Sequence, residues 1–366
     1  MNLLIITQKV DIDDDNLGFF HHWLEKIAKK VQKLYVICLY KGRYSLPQNV
    51  EVFSLGKERG PSRVKYIFNL YRYFFSLKGK IDLVFVHMNI IYIFLLWPFA
   101  KLFNLPIVLW KVHRGKMPHF DKAILLVDKI FTASEKSLDY ETPKKIVVGH
   151  GIDTNIFKPN TSNLKPPRTS NFYNVISIGR MSPCKNYEAL IDAVNVLVNQ
   201  RNFKNIEIKI IGGGSTKHQL EYYQTLKKKV KEYSLENYIH FLGSVPHRET
   251  VKYYQECDLF VNFLKTAGLD KALLEAMACG KLICTCQETL APFLGEYKEK
   301  LMVSAKDPEE TASKIIELLS LDSKTKEKIT RYLREVVVKN HNLDNLVERL
   351  IIQFQNLLNK KAYARK

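Results

Sequence analysis

The first half of the chain alternates short apolar runs with longer amphipathic segments. Short runs rich in Leu, Ile and Val are typical of buried strands, and the segments between them have helical spacing. The predicted strands are Leu3–Thr7, Lys33–Tyr40, Val50–Leu55, Asp82–His87, Pro106–Val112, Lys129–Ala133 and Lys145–Val148. The predicted helices are Phe19–Val31, Ser62–Leu77, Ile90–Phe103 and Asp121–Val127. This alternation predicts a parallel sheet with helices on both faces.

A second alternating series follows a polar segment, Lys158–Asn171 (KPNTSNLKPPRTSN), which is predicted to be a linker. The strands predicted after it are Val175–Ile178, Ile206–Ile211, Tyr238–Leu242, Leu259–Asn262, Lys281–Thr285 and Leu301–Val303. The helices are Asn186–Asn199, Lys217–Tyr233, Arg248–Glu256, Asp270–Ala278, Pro308–Leu319, Ser323–Lys339 and Leu343–Lys361. We therefore expect two α/β domains, over residues 1–160 and 161–340, facing across a cleft at the carboxyl ends of their strands. A terminal helix over residues 341–366 can pack back on the first domain.

Charge and cysteine content narrow the class of protein only slightly. Lys and Arg number 56 against 37 Asp and Glu, a net charge of +19, which attracts nucleotides, nucleic acid or anionic lipid without choosing among them. The six cysteines are scattered and form no pair of CxxC motifs, so a structural zinc site is not expected. Free thiols fit a reducing, cytoplasmic compartment.

Neither a signal peptide nor a spanning helix is predicted. The first ten residues, MNLLIITQKV, lack a basic leader and have the pattern of a strand. The apolar segment Asn89–Phe103 is interrupted by Pro98 and falls short of the roughly 20 residues that cross a bilayer. The expected location is cytoplasmic, with the inner face of the membrane as an open alternative.

The most informative segment is Ile176–Leu190 (ISIGRMSPCKNYEAL), in which a strand ends at Gly179 and a helix begins near Asn186. Arg180 and Lys185 fall between them. Arg offers a planar fork of donors and Lys a point charge, and both suit phosphate oxygens. A basic surface loop explains the spacing about equally well.

A second segment, Thr266–Cys279 (TAGLDKALLEAMAC), combines a glycine, a helix start and a carboxylate. Gly268 allows close approach of a ligand, and the helix that opens at Asp270 offers amides to an anion. Glu275 can accept two hydrogen bonds from a ribose diol. Alone, this segment favours an amphipathic helix with one exposed Glu. The glycine turn in Ile208–Ser215 (IKIIGGGS) is a weak phosphate signal.

Together, the three segments resemble the retaining, two-domain family-four glycosyltransferases of the GT-B architecture, in the order and spacing of that family. Phe241–Glu249, Cys257–Asn262 and Val148–Pro159 resemble further segments of it. The resemblance covers nearly the whole chain. Its motifs are specific in the second half of the chain and loose in the first half. It implies a hexosyltransferase with two Rossmann-like domains and C-terminal helices.

The resemblance implies a role for each matching position. Arg180 and Lys185 would hold the donor diphosphate, Glu275 the ribose, and His113 would approach the donor sugar. The implied donor-binding residues are Gly18, Gly179, Arg180, Lys185, Gly213, Val245, Pro246, Gly268, Leu269, Leu274 and Glu275. Without the resemblance, a buried structural role for His113 is favoured by roughly two to one.

One position departs from the family pattern. The family commonly has a Glu eight positions before the Glu of LLEAMA, where this chain has Ala267. That Glu usually contacts the transferred sugar, so the identity of the sugar is open. We hypothesise that Asp270 supplies the carboxylate from a shifted direction and count it with Arg180, Lys185 and His113 as catalytic.

Neither metal nor cofactor is expected, since enzymes of this architecture generally stabilise the leaving diphosphate with their own cations and amides. Asp11–Asp15 (DIDDD) is interpreted as a solvated turn, with contact to acceptor hydroxyls as the less favoured alternative. The donor is a substrate, with a UDP-sugar favoured and a GDP-sugar second.

We assign the acceptor to the first domain. Arg63–Lys80 is basic and aromatic, so anchoring at an anionic membrane and packing on the sheet are equally supported. For Ile90–Phe103 packing is favoured. A glycan or lipid-linked acceptor, in synthesis of cell-envelope polysaccharide or glycolipid, would follow.

Three alternatives stay open. Ala267 motivates a non-catalytic scaffold that binds sugar nucleotides. The segments Gly179–Lys185 (GRMSPCK) and Leu273–Ala278 (LLEAMA) argue against an epimerase or phosphorylase of the same architecture. The +19 charge motivates a nucleic-acid binder, but no nucleic-acid module is recognisable, so no such partner is expected.

Overall fold

The computed structural model describes residues 1–112, 117–160, 172–266 and 268–363. His113, Ala267 and most of the predicted linker lie outside the described residues. The chain divides into two compact units. The first comprises Met1–Gly151, Pro246–Arg248 and His341–Lys366, and the second comprises Ile152–Val245 and Glu249–Asn340.

The first unit is built on a parallel sheet of seven strands, in the order β3-β2-β1-β4-β5-β6-β7. These strands are β1 (Asn2–Val10), β2 (Lys33–Lys41), β3 (Val50–Ser54), β4 (Leu83–His87), β5 (Ile107–Trp110), β6 (Lys129–Thr132) and β7 (Lys145–Val147). The helices between them are α1 (Gly18–Ala28), α2 (Arg63–Ser76), α3 (Ile91–Leu102) and α4 (Phe120–Leu126). Strand order reverses between β1 and β4, as in doubly wound nucleotide-binding folds.

Strand β1 explains why this sheet is covered on both sides. Leu3 and Ile5 pack into a core cluster with residues of α1, and Leu4 and Ile6 pack into a second cluster with residues of α2 and α3. Successive side chains of a strand point to opposite faces, so a strand with two buried faces requires a continuous apolar run. The run NLLII predicted this, and the structure confirms it.

The second unit is built on a parallel sheet of five strands, in the order β10-β9-β8-β11-β12. The strands are β8 (Tyr173–Ile178), β9 (Ile206–Ile211), β10 (Ile239–Gly243), β11 (Leu259–Asn262) and β12 (Leu282–Thr285). The helices are α5 (Tyr187–Asn195), α6 (Lys217–Glu232), α7 (Thr250–Glu256), α8 (Lys271–Ala278), α9 (Lys298–Leu301), α10 (Pro308–Ser320) and α11 (Ser323–Asn340).

One predicted strand of this unit is wrong. Leu301 is the last residue of α9, and Met302 forms only a single bridge with Thr285. A three-residue apolar run does not distinguish a strand from the end of a buried helix, and here the helix forms.

The boundary between the units lies after Gly151, earlier than the expected end of the first domain at residue 160. Ile152 and Phe157 belong to the core cluster of the second unit, and the Phe157 carbonyl accepts a hydrogen bond from Arg334 Nη1 at 3.2 Å. The polar composition begins only at Lys158, but apolar packing already ties the preceding residues to the second unit.

The last helix, α12 (Leu343–Tyr363), belongs to the first unit. Leu346, Leu350 and Phe354 are fully buried in the cluster that also contains Ile5. The Phe354 ring lies 5.6 Å from that of Phe85 and 5.7 Å from that of Phe131. Within the described part of the chain, no helix combines the length and apolar content needed to cross a membrane.

Replacing Phe354 with Ala should therefore destabilise the first unit. Truncating a buried Phe costs about 3–5 kcal/mol, because contacts are lost and a cavity is left. The unfolding temperature of the first unit should fall by on the order of 10 °C in differential scanning calorimetry. Ile352 lies on the same helix with 48% of its surface exposed, so Ile352→Ala is the control and should change little. Equal effects of both substitutions would contradict the packing of α12 described above.

Candidate functional site

Three glycines bring the strand ends of the second unit together. A Cβ atom at Gly179 would lie 2.5 Å from Cε of Lys185, and one at Gly212 would lie 2.0 Å from the Gly179 carbonyl oxygen. One at Gly213 would lie 2.3 Å from Oγ of Ser244. Gly179 follows β8, and Gly212 and Gly213 follow β9; a larger residue at Gly212 would push the two turns apart, whereas one at Gly179 or Gly213 would displace the Lys185 or Ser244 side chain. The glycine triplet thus has a packing role.

Backbone and side-chain hydrogen bonds hold this arrangement. The Met181 amide donates to the Gly213 carbonyl at 2.9 Å, and the Gly179 amide donates to the Ile211 carbonyl at 2.9 Å. The Tyr187 hydroxyl donates to the Gly179 carbonyl at 2.8 Å. The segment that carries Arg180 and Lys185 is therefore fixed on both sides. Arg180 itself is exposed to solvent, whereas Met181 beside it is fully buried.

Lys185 and Asp270 form an ion pair at the carboxyl end of this sheet. Lys185 Nζ donates to Asp270 Oδ2 at 2.5 Å, and the two side chains are only 13% and 10% exposed. Asn262 Nδ2, at the end of β11, donates to the same oxygen at 2.8 Å. Asp270 Oδ1 accepts from the Ala272 amide at 3.1 Å, which makes Asp270 the N-cap of α8.

The environment keeps Asp270 ionised. Burial pushes the pKa of Asp270 upward, but the adjacent Lys185 ammonium and the hydrogen bonds from Lys185, Asn262 and Ala272 outweigh burial and hold that pKa below its ordinary value. Both carboxylate oxygens are engaged by these partners. Asp270 thus orients a cation, a role that its place in the sequence did not predict.

Gln287, which the sequence did not single out, holds the loop that precedes α8. Its Oε1 accepts from the Asp270 amide at 3.2 Å, and its Nε2 donates to the Gly268 carbonyl at 2.8 Å. Among the described residues, nothing lies within 4 Å of the position that a Cβ of Gly268 would take. The loop thus has open space beside Gly268, while buried Leu269 anchors it.

Glu275 is buried, so the interpretation that the segment favours when taken alone, an amphipathic helix with an exposed Glu, is wrong. Its side chain is 4% exposed, and its Oε2 accepts a hydrogen bond from the Tyr254 hydroxyl at 3.1 Å. Leu274 beside it is fully buried. At the first residue of the same helix, burial lowers the pKa of Lys271 to about 8, against the opposing effect of the Glu275 carboxylate. Helix α8 therefore carries charged groups on a mostly buried surface.

The remaining predicted residues lie elsewhere. Val245, which follows β10, belongs to the second unit, whereas Pro246 belongs to the first unit. Gly18 begins α1, where a Cβ atom would lie 3.3 Å from the Ile12 carbonyl oxygen. His113 is outside the described residues. The structure brings Lys185 and Asp270 into contact, and the second unit also contains the predicted residues Gly179, Arg180, Gly213, Gly268, Leu269, Leu274 and Glu275.

The acidic run in the first unit is a turn held by ion pairs. Asp14 pairs with Lys9, and its Oδ1 accepts from the Leu17 amide at 2.6 Å. Asp13 pairs with Arg43 at 2.6 Å. Burial raises the pKa of Asp14, but the hydrogen bond and charge of Lys9 outweigh it and lower that pKa. In the described chain, the side chains with metal-type spacing are instead His21, His22 and Glu25.

Curated relatives match only parts of the chain. Mannosylfructose-phosphate synthase of Agrobacterium fabrum is 28% identical over 106 residues, which are 29% of this chain and 23% of that protein. A phosphatidylinositol N-acetylglucosaminyltransferase component of Arabidopsis thaliana is 24% identical over 47% of this chain and 37% of its own length. The amylovoran biosynthesis glycosyltransferase AmsK of Erwinia amylovora is 29% identical over 34% of this chain and 30% of its own length. The chain thus spans well under half the length of these relatives.

Solved structures match the whole fold. Anabaena HepE in complex with UDP and glucose superposes with a TM-score of 0.76 at 17% identity, covering 97% of this chain and 99% of HepE. Sucrose-phosphate synthase from Thermosynechococcus elongatus gives a TM-score of 0.74 at 15% identity, covering all of both chains. Residues 161–336 match the family model described as glycosyl transferases group 1. Residues 161–336 are thus similar to the glycosyl transferases group 1, and the chain has the GT-B fold of these solved structures.

Proposed function

We propose that the chain is a retaining hexosyltransferase that moves a sugar from a nucleotide diphosphate donor to a glycan or lipid-linked acceptor. The observation that carries this proposal is the Lys185 ammonium, held by Asp270 at the strand ends of the matched domain. The pathway we infer is synthesis of cell-envelope polysaccharide or glycolipid. The relatives that act in amylovoran biosynthesis and on phosphatidylinositol support that inference.

The chemical step needs positive charge at the leaving group. When the anomeric bond breaks, negative charge develops on the β-phosphate of the departing nucleotide. Arg180 and Lys185 would bind that phosphate, and preorganised cations are a main source of such catalysis. We propose that this pair serves in place of a metal ion; a transfer rate that depends on added Mg²⁺ would contradict this.

UDP is our first choice of nucleotide and GDP the second. HepE, whose fold matches over nearly the full length, has been solved with UDP and glucose. In the present chain, Glu275 would accept the ribose hydroxyls, with Tyr254 fixing its carboxylate. Val245, which belongs to the same unit, would lie against the base.

We assign Asp270 two roles, of which anchoring Lys185 is the first. Its carboxylate holds a flexible side chain in one position, so little entropy is lost when a phosphate binds. It also caps α8 by accepting a hydrogen bond from the Ala272 amide. The second role is a contact between Asp270 and the donor sugar, in place of the carboxylate that the family commonly has at the position of Ala267.

The surface of α2 supports peripheral contact with the anionic inner face of the cell membrane. Val64 and Phe68 are 80% and 65% exposed, and Phe75 lies on the same face of the helix. The sequence of α2 contains three basic residues and no acidic residue. Helix α3 differs: Tyr92, Ile93, Leu96 and Ala100 are buried against the sheet, which confirms the packing predicted for it.

A non-catalytic sugar-nucleotide binder is the second candidate, because Ala267 stands where the family commonly has a Glu. The two candidates differ in turnover. An enzyme hydrolyses or transfers donor sugar, whereas a scaffold binds the donor and leaves it intact with every acceptor.

Arg180→Ala and Lys185→Ala should each lower donor turnover by about 100-fold or more, because each removes a donor aimed at the leaving phosphate. The measurement is release of nucleoside diphosphate from UDP-, GDP- and ADP-sugars, with donor binding followed by thermal shift. Lys217→Ala is the control, since that side chain is 91% exposed on α6, and it should retain the parent rate. Rates within twofold of the parent in both site variants would refute the assignment. Donor binding without turnover would favour the scaffold.

Asp270→Asn should lower kcat/KM for the donor by about tenfold or more, because Lys185 loses its charged anchor. The stabilising effect of ionised Asp270 is present above its unfolded-state pKa near 3.8 and is lost only as the pH falls through its lower folded-state pKa. The defect should therefore be constant across a pH range from 6 to 8, in a steady-state assay.

Asp192→Asn is the matched control for that substitution. Asp192 forms a comparable ion pair with Lys229 at 2.7 Å, between α5 and α6 of the same unit. It should keep the parent kinetics. If Asp270→Asn transfers sugar at the rate of Asp192→Asn, both proposed roles of Asp270 are wrong.

Replacing Val64 and Phe68 together with Ser should reduce binding to vesicles that contain phosphatidylglycerol by at least about tenfold. Each exposed apolar side chain contributes about 1.5–3 kcal/mol when it is fully buried in an apolar phase. Sedimentation with the vesicles measures the bound fraction. Leu125→Ser is the control, because Leu125 is 76% exposed on α4 of the same unit. Equal binding of the double variant and the control would contradict the membrane surface.

A further inference from the structure

The first unit contains a basic cavity that none of the proposed donor-binding residues line. Its volume is about 410 Å³, within the range of ligand sites in proteins. It lies between the end of β2, the turn after β3, and one face of α2. Its charged lining residues are Lys41, Arg59, Lys65 and Arg72, and no carboxylate from the described residues lines it.

The cations of this cavity are largely uncompensated. The carboxylate nearest in sequence, Glu58, accepts hydrogen bonds from Ser54 Oγ at 2.7 and 2.8 Å and from the Lys41 amide at 3.4 Å. It approaches only Arg59 among the four cations, at 3.9 Å. Within the described residues, Lys65 and Arg72 take part in no ion pair. Clustered cations repel one another, and a bound anion relieves that repulsion.

The turn after β3 fixes one wall of the cavity. Gly56 has a φ of +100°, a left-handed conformation that favours glycine, and its amide donates to Ser54 Oγ at 3.0 Å. Asn69 Nδ2, on α2, donates to the Leu55 carbonyl at 2.9 Å. The turn is thus tied to the helix, and the cavity is a built feature.

Helix α2 presents two neighbouring faces with different chemistry. Lys65, Asn69 and Arg72, spaced by four and three residues, line the cavity. Val64 and Phe68, one position before Lys65 and Asn69, form the exposed apolar stripe beside them. An anionic group in the cavity would therefore lie next to an apolar surface. That combination matches a molecule with a phosphorylated head and a hydrocarbon chain.

We propose that this cavity binds the phosphate or diphosphate head of a lipid, whose chain lies along the apolar stripe of α2. Arg forks and Lys point charges would contact the phosphate oxygens, and Ser54, Asn69 and Tyr73 add polar atoms to the lining. The site rests on the proposed lipid-linked acceptor and deepens it, but Arg180 and Lys185 lie in the second unit, so the site can be tested without turnover.

The test uses the full chain with Arg180→Ala and Lys185→Ala, which removes the cations of the donor site. Titration calorimetry with sodium pyrophosphate then measures the affinity of two double variants. The cavity pair carries Lys65→Gln and Arg72→Gln, and the matched pair carries Lys78→Gln and Lys80→Gln. Lys78 and Lys80 are exposed, follow α2 directly and do not line the cavity. The cavity pair should lose at least tenfold in affinity, and the matched pair should stay within twofold of the parent. Equal affinities would overturn the site.

A second ligand series distinguishes a lipid phosphate from a soluble phosphorylated sugar. Farnesyl diphosphate, below its micelle concentration, should bind more tightly than pyrophosphate, and Phe68→Ser should remove that gain. If the farnesyl chain adds nothing and glucose 1-phosphate binds as well as pyrophosphate, the lipid assignment is overturned and a soluble phosphorylated sugar takes its place. Because none of these measurements needs turnover, failure of the transfer reaction and failure of this site give different results.

Discussion

Burial of both faces of the central strands is the constraint on which the rest of the structure depends. In the middle of β1, Leu3 to Ile6 pack alternately into the clusters on the two faces, so this part of the sheet presents no polar group to a ligand. Functional groups are left to the turns and helix starts at the strand ends. In the second unit these are the turn after β8, which carries Lys185, and the start of α8, which carries Asp270.

The same constraint decides what each site residue must do. A lysine that is mostly removed from water loses solvation, and a neighbouring carboxylate can restore part of that free energy. Asp270 provides this at 2.5 Å and is itself fixed by Asn262 and by the first turn of α8. The result is a cation held in place before any ligand arrives, which is what stabilisation of a leaving phosphate requires.

The sequence predicted the elements better than the contacts between them. The order of strands and helices followed from apolar runs and their spacing, because these patterns are local. The pairing of Lys185 with Asp270 joins residues 85 positions apart, and no local pattern encodes it. Burial of Glu275 was missed for a related reason: its neighbours on α8 suggested one exposed side of the helix, whereas Tyr254 from α7 covers that side. The division after Gly151 depends on where Ile152 and Phe157 pack, which composition alone does not show.

The net charge of +19 does not by itself show where an anion binds, because that depends on the neighbours of each cation. Many lysines have a carboxylate partner, as Lys33 has Glu51 and Lys229 has Asp192, and such pairs leave little field for a ligand. In the cavity beside α2, cations converge without a carboxylate among the described lining residues, so the local potential is not cancelled. This lack of a neighbouring carboxylate, more than the number of lysines, distinguishes a place that recruits an anion from an ordinary solvated surface.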